Sequence, residues 1–256
     1  MLHLNVNKNV KIIDKNNSCI ITDFDHTLTK PNSKTIWGII SDNPFVPDEY
    51  NQECKKNFDY FRTLELSNIL KIDDKKRFMD EWVKRHIELF KKYHISLDTL
   101  NKIILNENDI FLRNDIKKFL FDMYNNNIPV VIISSGFKYM IELYLAKNKC
   151  YYKNITVISN EFETERGIIS NIITPYINSA NKGDINLDFI KKEKGISFGD
   201  QLEDLNMGSN LDLCRVAFLN NHDESFSIFR NKFDILLTGD SSVSDVTKLL
   251  IKDYKK

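Results

Sequence analysis

The chain has 256 residues, with 36 lysines and arginines set against 36 aspartates and glutamates, so its formal net charge is zero. That balance argues against polymeric nucleic acid as a partner, which calls for a basic excess, and against an acidic disordered tail. Hydrophobic residues at 42% and aromatics at 11% suffice for a packed core, and the length suits one large domain or a domain with a sizeable insertion.

In chain order, the opening MLHLNVNKNVKII holds no continuous apolar run of the kind a secretory leader needs. The first strand is predicted at 19–22 (CIIT), ending on Asp23-Phe24-Asp25. From 31 to 114 the strand signal is weak and helices are predicted over 47–62, 73–93 and 97–105. A helix at 115–125 leads to a strand at 128–134, then a helix at 138–147 and a strand at 155–159. Around Arg166-Gly167 short extended segments read as an antiparallel hairpin elaborating one sheet edge. Strands at 195–198, 214–219 and 233–237 complete the pattern.

These strands are near-continuous apolar runs, the signature of strands covered on both faces. Strand alternating with helix predicts an α/β fold with a doubly wound parallel sheet. The helical block at 31–114 reads as a cap domain over the carboxyl ends of the strands, where open α/β sheets bind ligands, with 1–30 and 115–256 forming the core. No stretch reaches the roughly 18 apolar residues of a membrane span. The cysteines Cys19, Cys54, Cys150 and Cys214 show neither metal-finger spacing nor a disulfide framework. The expectation is a soluble, cytoplasmic protein with reduced thiols and no membrane partner.

The most specific local feature is Asp23-Phe24-Asp25-His26-Thr27-Leu28-Thr29. Two carboxylates one residue apart on a strand would face opposite ways, but a turning backbone at the strand's end can aim both into one crevice. Taken alone, a solvated acidic turn is the better explanation. The later strands add more: Ser134-Ser135-Gly136 offers hydroxyls and a flexible backbone able to present N–H groups to an anion. Lys182 precedes a helix expected to lead to the fourth strand, and that strand ends in Gly199-Asp200-Gln201-Leu202-Glu203-Asp204. Singly these are a turn hydroxyl, a surface lysine, a helix N-cap and a first-turn acid. Their joint placement at successive strand ends of one sheet points to phosphate chemistry.

DFDHTLT, then SSG, then Lys182, then GDQLED resembles the four-motif order of the haloacid-dehalogenase-like phosphohydrolases. Within them the chain looks most like the pyrimidine 5′-nucleotidase (cytosolic nucleotidase III-like) family. The run from Met79 to His86, the Tyr60–Glu65 segment, Val157-Ile158-Ser159-Asn160 and Asn181-Lys182 carry that likeness. Departures are Ser135 where the family has Ala, Trp37-Gly38 where it tends to His-Asn, and Arg85 where it has a small residue; they bear on base preference.

The resemblance implies a Mg²⁺-dependent phosphomonoester hydrolase. It implies Asp23 as nucleophile, Asp25 as acid/base, and Ser134, Ser135 and Lys182 as phosphate-binding groups. It gives the metal to the Asp23 side chain, the Asp25 carbonyl and Asp200, with Asp204 supporting. Glu65 is the implied contact to a nucleobase, and Trp37, Phe45, Tyr60, Phe61 and Trp82 are candidate stacking surfaces, each also a candidate for core. His86 is expected to pack or to orient a neighbour. The substrate is then a small phosphate monoester, a nucleoside monophosphate first among them. The alternatives are a phosphoserine-phosphatase-like hydrolase, a phospho-aspartate signalling module, and a protein that binds nucleotide without catalysis.

Overall fold

The computed structural model describes residues 2–4, 13–65, 67, 69–220, 226–238 and 241–252. Strands β1 (Leu2–Leu4), β2 (Ile13–Asp14) and β3 (Ser18–Thr22) come first, and all five residues of β3 are buried. Five helices follow: α1 (Ile36–Ile40), α2 (Asp48–Glu65), α3 (Ile72–Lys92), α4 (Leu97–Asn106) and α5 (Ile116–Asn125). Then come β4 (Val130–Phe137), α6 (Lys138–Lys147), β5 (Ile155–Asn160), β6 (Phe162–Glu165), β7 (Ile168–Ile172), β8 (Lys194–Gly199) and β9 (Asp212–Leu219). The chain finishes with α7 (Phe226–Lys232), β10 (Ile235–Thr238), α8 (Val243–Leu250) and β11 (Ile251–Lys252).

The main sheet has the order β1-β10-β9-β8-β3-β4-β5. Strands β10 to β5 run parallel, as the apolar runs predicted. An antiparallel edge strand, β1 on β10, was not expected, because three residues carry no readable period. From β3 the chain proceeds outward to β4 and β5, then returns to β8 on the other side of β3 and continues to β9 and β10. The crevice beyond the carboxyl ends of β3 and β8 is therefore the point where the winding direction reverses, the usual ligand site of such sheets.

Two expectations change. The hairpin β6–β7 pairs only with itself and sits on the helical block rather than extending the main sheet. Ile169 N donates to Ile95 O, Leu97 N donates to Gly167 O, and Ser96 bridges to Ile168. Its apolar face explains this: Phe162 stacks on Phe137 at 4.3 Å and meets Phe90 edge-on at 6.0 Å, while Ile169 and Ile172 are fully buried. The turn is made by Arg166 and Gly167, both with positive φ, which suits a tight two-residue hairpin loop. Secondly, Lys182 starts only a single 3₁₀ turn, Lys182–Asp184, and residues 185–193 form an irregular connection in which Leu187 and Ile190 bury.

Helix α3 forms the spine of the helical block. Met79, Val83, His86, Ile87 and Phe90 recur at three- and four-residue spacing and are buried, while Asp73 and Asp74 occupy the first turn, where carboxylates complement the helix dipole. Burying each large apolar side chain along this stripe contributes about 1.5–3 kcal/mol. Among the described residues no helix is long and apolar enough to cross a membrane.

Candidate active site

Parallel register brings the key residues together. Thr22 pairs with Phe198, and Asp23 N donates to Phe198 O at 3.0 Å, so the chain beyond β3 and the chain beyond β8 leave the sheet side by side. Asp23 is buried at the end of β3, and the turn that follows carries Asp25 to the same cavity. The Asp25 carboxylate accepts from Ile36 N at 3.1 Å, at the start of α1. Gly199 closes β8, and there the close approach demands glycine: a Cβ would lie 2.3 Å from the Cβ of Asp204.

Lys182 is the electrostatic hub. It is 5% exposed, and its Nζ lies 2.7 Å from Asp23 Oδ1 and 2.9 Å from Asp204 Oδ1. The other Asp204 oxygen, Oδ2, accepts from Asp200 N and Gln201 N, both at 3.0 Å. Asp204 is thus fully occupied in shaping the turn Leu202–Asn206. Asp200 is held at both oxygens, by Thr27 Oγ1 at 3.1 Å and by Asn220 Nδ2 at 3.4 Å.

The oxygens of three carboxylates, Asp23, Asp200 and Asp204, lie within 4.8 Å of one another, and the Lys182 ammonium pairs with two of them, Asp23 and Asp204. Burial raises Asp23 to about 6 even against Lys182, and the charge of Asp204 adds to the rise. Burial and then the Asp23 charge push Asp25 up to about 8. Asp200 rises well above the usual carboxylate range, through burial and then Asp23 and Asp204. Burial alone would lower Lys182, but Asp204 and Asp23 override it and hold the amine protonated. Such a net-negative, all-oxygen donor set suits a hard divalent cation.

A cavity of about 420 Å³ opens above this floor. Among the described residues its wall includes Asp23, Asp25, Lys182 and Ser135, while Ser134, Asp200 and Asp204 lie behind it. Ser134 is buried, its Oγ accepting from Gly136 N at 3.0 Å. The far wall comes from the helical block, with Glu65, Arg62, Phe61, Trp82 and Trp37. Glu65 accepts from Ser179 Oγ at 2.7 Å and pairs with Arg62. Trp37 donates from Nε1 to Ser135 O at 2.9 Å and packs 4.4 Å from Trp82, ring to ring.

Of the five aromatic candidates, Trp37, Phe61 and Trp82 reach the cavity. Phe45 and Tyr60 do not line it: both are exposed, and Tyr60 lies under the Arg85 guanidinium at 5.6 Å. Helix periodicity explains the split, since Tyr60 and Phe61 are neighbours on α2 and must point about 100° apart. His86 packs as expected, 4.8 Å from both Trp37 and Trp82. Burial lowers it to about 3, so it is neutral.

The structure also gives roles to residues that the sequence left without one. Asn160 donates to Ser135 O at 2.9 Å, Gly136 O at 3.2 Å and Ile177 O at 2.8 Å, tying the serine turn to the segment that leads to Lys182. Thr27 and Asn220 steer Asp200, and Arg62 and Ser179 hold Glu65. Asn160 closes the Val157–Asn160 run that carried the resemblance, one residue past the strand expected at 155–159, whereas nothing local marks Asn220 or Ser179.

This parallel sheet, with paired aspartates after one strand and a buried lysine beside an aspartate pair after the next, defines a phosphohydrolase of the haloacid-dehalogenase-like class. More particularly, the chain belongs to the pyrimidine 5′-nucleotidase (UMPH-1) family, which it matches over residues 21–253. It is similar to the 7-methylguanosine phosphate-specific 5′-nucleotidase A of Xenopus laevis, 27% identical over 249 residues that cover 90% of this chain and 86% of the relative. The human 7-methylguanosine phosphate-specific 5′-nucleotidase is 24% identical, with 90% and 83% covered. Among solved structures, cytosolic 5′-nucleotidase IIIB bound to cytidine superposes with a TM-score of 0.83 at 22% identity, over 93% of this chain and 86% of that one. An apo phosphoserine phosphatase shares the fold at a TM-score of 0.59 and 16% identity, over 92% and 99%.

Proposed function

We propose that the protein is a cytoplasmic, Mg²⁺-dependent 5′-nucleotidase that hydrolyses nucleoside monophosphates through a phosphorylated Asp23. The observation that carries this reading is one cavity with a phosphate-handling floor, Asp23, Asp25 and Lys182, and an aromatic and acidic far wall, Trp82, Phe61 and Glu65. Residues 31–114 act as the cap that reads the nucleoside, and 1–30 with 115–256 as the core that does the chemistry. The four free cysteines support a reducing compartment.

Asp23, Asp200 and the Asp25 carbonyl would hold Mg²⁺, with Asp204 as support. The ion, when bound, neutralises charge between the nucleophile and the phosphoryl oxygens. Asp23 attacks phosphorus as the ester bond breaks, and Lys182 balances the developing charge on a phosphoryl oxygen. Asp25, raised to about 8, carries a proton at neutral pH and gives it to the departing ribose oxygen. Deprotonated by that transfer, it takes a proton from the water that then hydrolyses the phospho-aspartate. Ser135, at the cavity wall, and Ser134, once its hydroxyl turns from Gly136 N, complete the phosphate cradle.

Glu65 accepts from an exocyclic amino group of the base, and Trp82 and Phe61 offer faces for stacking. The test is phosphate release across nucleoside monophosphates, phosphoserine and sugar phosphates, with Mg²⁺ and with EDTA. Nucleotide turnover that EDTA abolishes is expected. Turnover of phosphoserine without turnover of nucleotides would overturn the reading.

A further inference from the structure

The chain crosses between the sheet and the helical block twice, and the two crossings are zipped together. Lys30 N donates to Phe111 O at 2.8 Å, Arg113 N donates to Leu28 O at 3.0 Å, and Thr29 bridges to Leu112. From this hinge the Arg113 side chain turns inward and is 1% exposed. Its Nε donates to Thr27 O at 2.8 Å, and its Nη2 donates to His26 O at 2.7 Å and to Asn220 Oδ1 at 2.8 Å. The guanidinium carbon lies 3.8 Å from the centroid of the Phe218 ring, which fixes the plane of the fork.

Those three acceptors all bear on Asp200. With Oδ1 engaged by Arg113, the Asn220 amide must present Nδ2 to the other side, where it donates to Asp200 Oδ2 at 3.4 Å and to His26 O at 3.1 Å. Thr27, whose carbonyl Arg113 holds, donates its hydroxyl to Asp200 Oδ1. The loop so gripped needs holding, because His26 sits at φ 59° without being glycine. Both oxygens of Asp200 are therefore oriented by groups that Arg113 fixes.

We infer that Arg113 and Asn220 are positioning residues that set the divalent-cation affinity of the site by orienting Asp200, Arg113 acting from the hinge of the helical block and Asn220 from the end of β9. This rests on the metal reading given under Proposed function. Partners that orient a ligand commonly change metal affinity by about ten- to a hundredfold. A lysine at position 113 keeps the charge but lacks the planar fork, so its rotating ammonium cannot meet these acceptors from the fixed positions that Arg113 uses.

The experiment is Mn²⁺ binding to the substrate-free protein, read as loss of the free-ion electron paramagnetic resonance signal, with Mg²⁺ as competitor. Thermal unfolding in EDTA serves as the control for folding. Asn220→Ala is expected to raise the dissociation constant about tenfold, with little change in the EDTA melting temperature, and Arg113→Lys to raise the dissociation constant by a similar factor. Because both act along one path, the double variant should be no weaker than the weaker single. Unchanged affinity in Asn220→Ala, or effects that multiply in the double variant, would overturn the inference. If Arg113→Lys does not fold, Asn220→Ala decides alone. A parent protein that binds neither ion overturns the metal reading itself, whereas a binding parent with unaffected variants overturns only the relay.

Discussion

Lys182 Nζ lies 2.7 Å from Asp23 Oδ1 with both side chains nearly excluded from solvent. The amine is thereby held protonated, while burial still leaves Asp23 raised to about 6. Unlike a surface ion pair, this contact removes two charges from water and depends on its other partner, Asp204, to offset the desolvation.

Asp23→Asn removes the proposed nucleophile and keeps the shape. Phosphate release should fall by roughly 10⁴-fold or more while the circular dichroism spectrum is retained. Substantial residual turnover in this variant would exclude Asp23 as the attacking group.

Lys182→Met leaves Asp23 and Asp204 facing each other without their ammonium. Unfolding in urea with EDTA present should show a loss of about 3–5 kcal/mol, the usual cost of breaking a buried pair from one side. Adding Mg²⁺ should recover part of that loss, since the ion supplies charge to the same carboxylates. A loss that Mg²⁺ leaves untouched would show that the metal does not share their field.

Glu65→Ala frees Arg62 and Ser179 and removes the acceptor at the far wall. The expected result is a drop of about ten- to a hundredfold in kcat/KM for nucleoside monophosphates that bear an exocyclic amino group. Hydrolysis of p-nitrophenyl phosphate, which has no base to read, should change little. Equal losses on both substrates would place Glu65 in a structural role.

His86 gives the pH dependence. Its unfolded value is near 6.5 and its folded value is about 3, so below pH 6.5 the unfolded chain binds a proton that the native ring refuses. Stability from this site is therefore present above pH 6.5 and declines as the pH falls toward 3. Between pH 7 and pH 5 the wild type should lose about 2 kcal/mol relative to His86→Phe in urea unfolding. Parallel pH profiles for the two proteins would mean that the ring is protonated in the folded state.

The strands of the parallel sheet were legible because each is a compact apolar run, and α3 because its buried positions keep one helical stripe over 21 residues. The site was legible where chemistry clusters locally: Asp23 with Asp25, Ser134 with Ser135, Asp200 with Asp204. The attachment of the hairpin was not, since Phe162 chooses between the sheet edge and the aromatic cluster of Phe90 and Phe137 only when both are present. Nor was the difference between Phe61, which lines the cavity, and Tyr60, which does not.

Composition and order alone thus determined an α/β protein whose strand ends carry acids, hydroxyls and one lysine, because hydrophobic period and strand-end residues are written within a few positions of each other. Tertiary structure decided what those residues face. Asp200 meets Thr27 from 173 positions away because β3 and β8 pair in register, and Lys182 reaches Asp23 across 159 positions from the 3₁₀ turn that precedes β8. Arg113 and Asn220 meet across 107 positions for the same kind of reason. A charge balance of zero across the chain becomes, at and behind this floor, three clustered carboxylates with one ammonium paired to two of them, a local excess that only folding into a dry crevice could concentrate.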